Sequence, residues 1–248
     1  MKSLLKMTWV EAKLFLREPA SAFFTLIFPL LMLFIFGTIY SNTPIPGGIS
    51  AQSVIGSLIP AFSGMIIGMV GLMPVTITLA TYRENGILRR LRTTPVSPLI
   101  VMAAQVVVVF VMTVLGVILL VAAGMLFYQV QFQGNTLSLL AGFTLGSLGF
   151  FGIGFILASV MPTARTAQIV GMILMYPMLI FSGAGWPREL MPPVMIKVSQ
   201  FLPLTYVVNL LRGLWIGEAW GQHLLDVGVL VAMLVVGALV SVKLFRWE

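Results

Sequence analysis

Residues 19–82 read PASAFFTLIFPLLMLFIFGTIYSNTPIPGGISAQSVIGSLIPAFSGMIIGMVGLMPVTITLATY, 64 consecutive positions without one Asp, Glu, Lys or Arg. A bilayer core is crossed by about 20 apolar residues in helical form, so this stretch holds two crossings and a turn. Residues 93–164 form a second charge-free run of 72 positions, again room for two. Residues 166–187 supply one more, and 227–242 form the core of a last one. The expected helices are 20–41, 54–82, 97–128, 137–161, 167–186 and 222–245. Several exceed the minimum length, which predicts tilt or extension beyond the membrane.

Composition agrees. Of 248 residues, 59% are apolar and 8% charged, and the mean hydropathy is +1.08. A soluble surface needs about 25% charge. The values exclude a soluble enzyme, a nucleic-acid-binding domain and a disordered chain, and leave an all-α integral membrane protein. The net charge of +7 is then a topology signal rather than a nucleic-acid footprint. No cysteine is present, which removes disulfides, thiol nucleophiles and thiolate metal sites.

The basic residues fall on one side of a six-span arrangement. Lys2, Lys6, Lys13 and Arg17 precede span one. Arg83, Arg89, Arg90 and Arg92 follow span two, Arg165 follows span four, and Lys243 and Arg246 follow span six. These are eleven of the fourteen basic residues. Arg188, Lys197 and Arg212 share the other side with Glu189 and Glu218. The positive-inside rule places both termini in the cytoplasm of a multi-pass cell-membrane protein. The apolar run from Ala20 is too long for a signal peptide's core and lacks a small-residue cleavage site after it, so it is expected to remain as span one.

Three segments are not simple spans. At about 100° per residue, Lys2, Lys6, Lys13 and Arg17 cluster on one arc, and Leu4, Leu5, Trp9, Ala12, Phe15 and Leu16 occupy a broad adjoining face. Residues 1–19 therefore read as a helix on the cytoplasmic membrane surface, ended by Pro19. A plain charged flank is the blander alternative. The connection from Tyr82 to Pro98 is the most polar segment. It interleaves Ile87, Leu88 and Leu91 with arginines, which predicts a short amphipathic cytoplasmic helix at 83–95, stopped by Pro95 and Pro98. Topology alone needs only the arginines, so the apolar residues suggest a docking surface. On the outer side, Pro187, Pro192, Pro193 and Pro203 interrupt two short apolar runs, Val194–Leu202 and Leu204–Ile216. With span five broken by Pro177 and by Gly183 and Gly185, residues 183–221 read as a re-entrant hairpin before the last span.

Gly64 and Gly68, and Gly142 and Gly146, form two G-x-x-x-G pairs, the second extended by Gly149, Gly152 and Gly154. Such pairs permit close helix approach, either within one subunit or at a dimer or moving seam. The single histidine, His223, excludes a multi-histidine metal site and reads as an interfacial residue. No Gly-Lys dipeptide occurs, so the chain has no P-loop, and no Ser-His-Asp set shares a side. None of the acidic residues falls at mid-span, where ion-coupled carriers commonly place them. Energy for transport would then arrive from another subunit.

The arrangement resembles the membrane subunit of type 2 ABC exporters, the ABC-2 permeases, over nearly the whole chain. Arg83-Glu84-Asn85-Gly86 through Leu91-Arg92-Thr93-Thr94-Pro95 is similar to the family's E-x-G-x-x-x-x-L-x-x-[ST]-P pattern. Phe181-Ser182-Gly183 to Pro187, Met191-Pro192, Leu202-Pro203-Leu204-Thr205-Tyr206 and Leu211-Arg212-Gly213 are similar to its outer re-entrant region. The resemblance implies a half-transporter with an ABC transmembrane type-2 domain over 20–246. Two permease chains, identical or paralogous, would pair with two ATPase subunits. ATP and Mg would bind there, so this chain carries no cofactor, metal or catalytic residue of its own and is not itself an enzyme. Arg83, Glu84, Gly86, Leu88, Arg89, Arg90 and Leu91 would contact the ATPase. Gly183, Gly185, Trp186, Pro203 and Tyr206 would shape the outer gate. The cargo implied is amphiphilic or apolar (a drug, a lipid-like molecule or a glycoconjugate) leaving along the interface of the paired permeases, with membrane lipid as a further partner. Drug-exporter permeases look closest. Two other classes stand beside this reading: an ATP-independent channel or secondary carrier, and an intramembrane enzyme modifying lipid.

Overall fold

The structure, a computed structural model, describes residues 2–42, 50–87, 90, 98–185, 188 and 191–244. Within them the chain forms helices and connections with no strand. A surface helix, α1 (Lys2–Arg17), leads into α2 (Pro19–Asn42), whose Phe23–Ile27 turn is widened to π-helical geometry. Span two comprises α3 (Ala51–Leu72) and α4 (Pro74–Glu84). Spans three, four and five are α5 (Pro98–Tyr128), α6 (Thr136–Val160) and α7 (Ala164–Phe181). Two short helices, α8 (Pro193–Ser199) and α9 (Pro203–Ile216), precede the last span, α10 (Leu224–Leu244).

Among the described residues, six helical stretches are long and apolar enough to cross a membrane, in the order the charge-free runs predicted. The charge-free run predicts span two as one helix. The structure divides it at Met73, because Pro74 has no N–H to complete the bond to the preceding turn. Span five also differs. Pro177 lies inside α7 without ending it, and the helix stops at Phe181, ahead of Gly183. Two short helices meeting at 105° stand where the re-entrant hairpin is expected, a bend that a re-entrant loop and a broken span share.

Span two is the axis of the bundle. Its most apolar window is 89% buried, against 22% for spans one, five and six. Phe62, Ile66 and Ile67 on α3 and Phe150 and Phe151 on α6 are fully enclosed. The re-entrant α9 plugs into the same core through Leu204, Val207, Val208, Leu210 and Leu214. Lipid is as apolar as these side chains, so close packing rather than water exclusion holds such helices together. The α6–α10 contact shows it: a Cβ at Gly237 would stand 2.5 Å from the Gly152 Cα.

The apolar arc of α1 divides in two. Phe15 packs inward on Val108 and Met112 of α5, whereas Leu5, Trp9 and Leu16 are exposed, as a helix lying on lipid requires. Lys6, Lys13 and Arg17 of the basic arc are exposed, with the Lys13 Nζ 5.3 Å from the Trp9 ring centre.

Candidate functional site

The polar segment after span two starts inside the bundle. The half-buried Arg83 side chain turns toward the end of span four and donates to the carbonyls of Ala158 (2.6 Å) and Met161 (2.9 Å). These are carbonyls that the last turn of a helix leaves without intrahelical donors. One residue on, a Glu84 carboxylate oxygen accepts from the Ala164 N–H at 3.0 Å. Ala164 opens span five, whose N-cap Thr163 forms a capping box with Thr166. A cation thus sits at the negative end of one helix dipole and an anion at the positive end of the next. Adjacent residues of one segment clamp both sides of the 161–163 turn.

A third tie reaches the surface helix. The Tyr82 hydroxyl donates to the Glu11 carboxylate at 2.6 Å. Glu11 is 4% exposed on the inner face of α1. Burial raises its carboxyl above the ordinary value, and the Tyr82 hydrogen bond lowers it by less. Sequence reasoning missed this pair. Its signal was a carboxylate in line with Leu4, Thr8 and Phe15 at spacings of four, three and four, where an apolar residue is expected.

Beyond Glu84 the chain turns. Gly86 adopts φ +65°, and a Cβ there would meet nothing within 4 Å, so this glycine serves a bend rather than a close approach. Ile87 packs against the core, and the Arg90 N–H bonds to the Gly86 carbonyl at 3.1 Å. Leu88, Arg89 and Leu91 lie outside the described residues. Among the described members of the expected docking set, Arg83 and Glu84 therefore have partners within this chain.

A lateral groove of about 350 Å³ opens between spans one, two and five. Phe24, Phe28, Met69, Met73, Met172 and Tyr176 give it an adaptable apolar lining. Among the described residues that line it, Glu18, at the junction of α1 and span one, is the only charged one.

At the opposite end, Gly183 takes φ +84° just past the end of span five, and the Gly185 N–H bonds to the Leu179 carbonyl at 3.0 Å. Trp186 lies outside the described residues. Pro203 opens α9, and the Tyr206 hydroxyl donates to the Gln200 carbonyl at 2.7 Å, bracing the hairpin corner. All four glycines of the G-x-x-x-G pairs face α9 of the same chain. Gly64 lies against Val208, Gly68 against Leu204, Gly142 against Leu214 and Gly146 against Val207. His223 is no lone interfacial residue: its ring lies between the carboxylates of Glu218 and Asp226.

The sequence profile of the ABC-2 type transporter family matches residues 2–215. Nodulation protein J of Rhizobium leguminosarum bv. viciae is 30% identical over 99 residues, covering 40% of this chain and 38% of that protein. The probable multidrug ABC transporter permease YbhR of Escherichia coli (strain K12) is 23% identical over 163 residues, 65% of this chain and 44% of its own length. The inner membrane transport permease YhhJ of the same strain is 25% identical over 207 residues, 77% and 53% respectively. The chain thus spans about half or less of the length of these curated relatives. With the family match running from the surface helix through the re-entrant α9, the chain belongs to the ABC-2 type transporter family.

Proposed function

We propose that the chain is the permease subunit of an ATP-driven exporter in the cytoplasmic membrane, with both termini in the cytoplasm. The observation that carries this reading is the cytoplasmic clamp. Tyr82, Arg83 and Glu84 tie one polar segment to the surface helix, the end of span four and the start of span five. A displacement of that segment has direct mechanical contact with three elements. The chain serves transport and catalyses no reaction itself: two separate ABC ATPase subunits bind and hydrolyse ATP with Mg, and push on the segment that Gly86, Arg90 and their neighbours continue. A second copy of this chain, or a paralogue, completes the permease.

The cargo is an amphiphilic or apolar molecule. The methionine- and aromatic-lined groove supports this, because such a lining accepts bulky apolar bodies without demanding one shape. The name of YbhR, a probable multidrug ABC transporter permease, points the same way.

The test is isolation of the chain in mild detergent with identification of every co-purifying protein. A stoichiometric P-loop ATPase is the expected result. A reproducibly lone chain that moves solute without ATP would establish a channel or carrier instead.

A further inference from the structure

The outward side of α1 carries charges that the clamp and groove do not use. Lys6, Lys13 and Arg17 are exposed. Among the described residues, no carboxylate lies within ion-pair distance of any of them. The acidic side chains nearest in sequence are turned elsewhere: Glu11 accepts from Tyr82 on the bundle side, and Glu18 lines the lateral groove. A solvent-facing helix laced by its own ion pairs alternates the two signs. Here every exposed charge among the described residues of α1 is positive.

At about 100° per residue, α1 presents three directions. Met7, Glu11 and Phe15 face the bundle, where Met7 and Phe15 pack and Glu11 is nearly enclosed. Leu5, Trp9 and Leu16 lie about 140° round from them and are more than half exposed. Lys6, Lys13 and Arg17 follow about 80° further on, so both arcs point away from the bundle. A helix that rests its apolar arc in lipid then brings the basic arc out sideways, at the level of the neighbouring headgroups. The side turned to water carries Val10 and Leu14, so the charge is not placed to solubilise the helix. The Lys13 ammonium stands over the Trp9 ring, with its stem along apolar surface and its head at the polar boundary.

We propose that this face of α1 docks on the headgroups of anionic phospholipids. Lys6, Lys13 and Arg17 contact lipid phosphates, and Leu5, Trp9 and Leu16 enter the acyl boundary beneath them. Basic residues beside an apolar arc are drawn to a negatively charged leaflet, and a guanidinium takes a phosphate with two parallel hydrogen bonds. A soluble acidic partner would meet the cations and leave the apolar arc in water. A zwitterionic surface would cover the apolar arc and offer the three cations no net charge. An anionic bilayer answers both arcs at once. The helix is then held from two sides, by lipid outside and by the Tyr82–Glu11 hydrogen bond at the start of the clamp inside. The assignment of the contact to the cytoplasmic leaflet rests on the topology proposed above; the lipid contact itself does not depend on ATP-driven transport.

The experiment places the full chain in nanodiscs of phosphatidylcholine alone and of phosphatidylcholine mixed with phosphatidylglycerol. Both leaflets of a disc then carry the same charge, so the orientation of the chain does not enter. Hydrogen exchange, corrected for the lower surface pH of the anionic disc, reads the α1 amides. The expected result is about tenfold or greater protection of α1 in the anionic discs at low salt, the scale of a few basic residues held at a charged surface. Most of that gain is lost in about 1 M salt, where the screening length falls to about 3 Å. Inorganic phosphate added to phosphatidylcholine discs leaves α1 unchanged. The combined changes Lys6→Gln, Lys13→Gln and Arg17→Gln remove the dependence on lipid charge, and Lys6→Arg with Lys13→Arg keeps it. Equal protection of the unmodified chain in the two discs overturns the lipid docking and leaves the cations to a soluble acidic partner. A gain reproduced by inorganic phosphate overturns it in favour of a free-anion site. Both readings use the unmodified chain and therefore stand even if a variant fails to fold.

Discussion

Arg83 and Glu84 show how two adjacent charges at a membrane boundary acquire different tasks from the helix ends they meet. The guanidinium supplies donors to carbonyls at the end of span four, and the carboxylate accepts from the first N–H of span five. Hydrogen bonds to charged groups contribute about 1.5–3 kcal/mol when their partners would otherwise be unmet. Arg83→Ala is therefore expected to lower thermal stability by about that amount, measured by unfolding in detergent. Arg83→Lys restores little, because an ammonium does not reproduce the planar fork across two carbonyls. Glu84 is exposed, so Glu84→Ala costs about 1 kcal/mol or less. Glu11 provides a pH prediction. Its raised carboxyl means the folded chain binds a proton more readily than the unfolded chain does. Stability accordingly falls as pH rises from the ordinary carboxylate value through the raised one. Glu11→Gln is expected to flatten that slope. Proteolytic release of α1 followed across pH checks it; a slope equal to that of the parent chain would assign the dependence to another group.

At the scale of elements, the central fact is that α9 enters the bundle between glycine-bearing faces of spans two and four. Not all of these glycines are equally constrained. A Cβ at Gly64 would stand 2.7 Å from a methyl of Val208, a β-branched side chain with little rotamer freedom. A Cβ at Gly68 meets the ends of Met175 and Leu204 at 3.0–3.3 Å, and those side chains can turn aside. Helix propensity favours alanine over glycine by about 1 kcal/mol. Gly68→Ala is therefore expected to be neutral or slightly stabilising, and Gly64→Ala destabilising by about 1–2 kcal/mol from overpacking. Paired melting curves decide it; equal effects of the two changes would contradict the packing described for α9. Sequence order could reveal these glycines and the two apolar runs around Pro203. It could not reveal which face α9 would choose, because that depends on side chains from three spans meeting in space.

For the molecule as a whole, the spans were legible because the cost of placing charge in lipid acts on each residue wherever its neighbours are. Charge-free runs thus predicted six crossings. Features made by contact were not legible. The break at Met73 looked like one more position in an apolar run, and Pro177 looked like an interruption that α7 in fact carries through. Arg83 and Glu84 read as outward-facing docking charges because nothing local announces the carbonyls and N–H they meet. Topology is open to direct test, since the chain contains no cysteine. A single cysteine in place of the exposed Lys6 is expected to react only with a membrane-permeant reagent in intact cells, and one in place of the exposed Leu137 with an impermeant reagent. Reversed labelling would invert the orientation.

In the proposed exporter, force enters through the segment after span two and reaches spans four and five through Arg83 and Glu84. The most direct measurement is the ratio of solute exported to ATP hydrolysed in proteoliposomes holding the complete transporter, compared between the parent chain and an Arg83→Ala, Glu84→Ala double variant. The predicted result is retained assembly and hydrolysis with transport per ATP reduced about tenfold, equivalent to about 1.4 kcal/mol of lost coupling. An unchanged ratio in an assembled, folded complex would contradict the claim and confine the clamp to holding the fold.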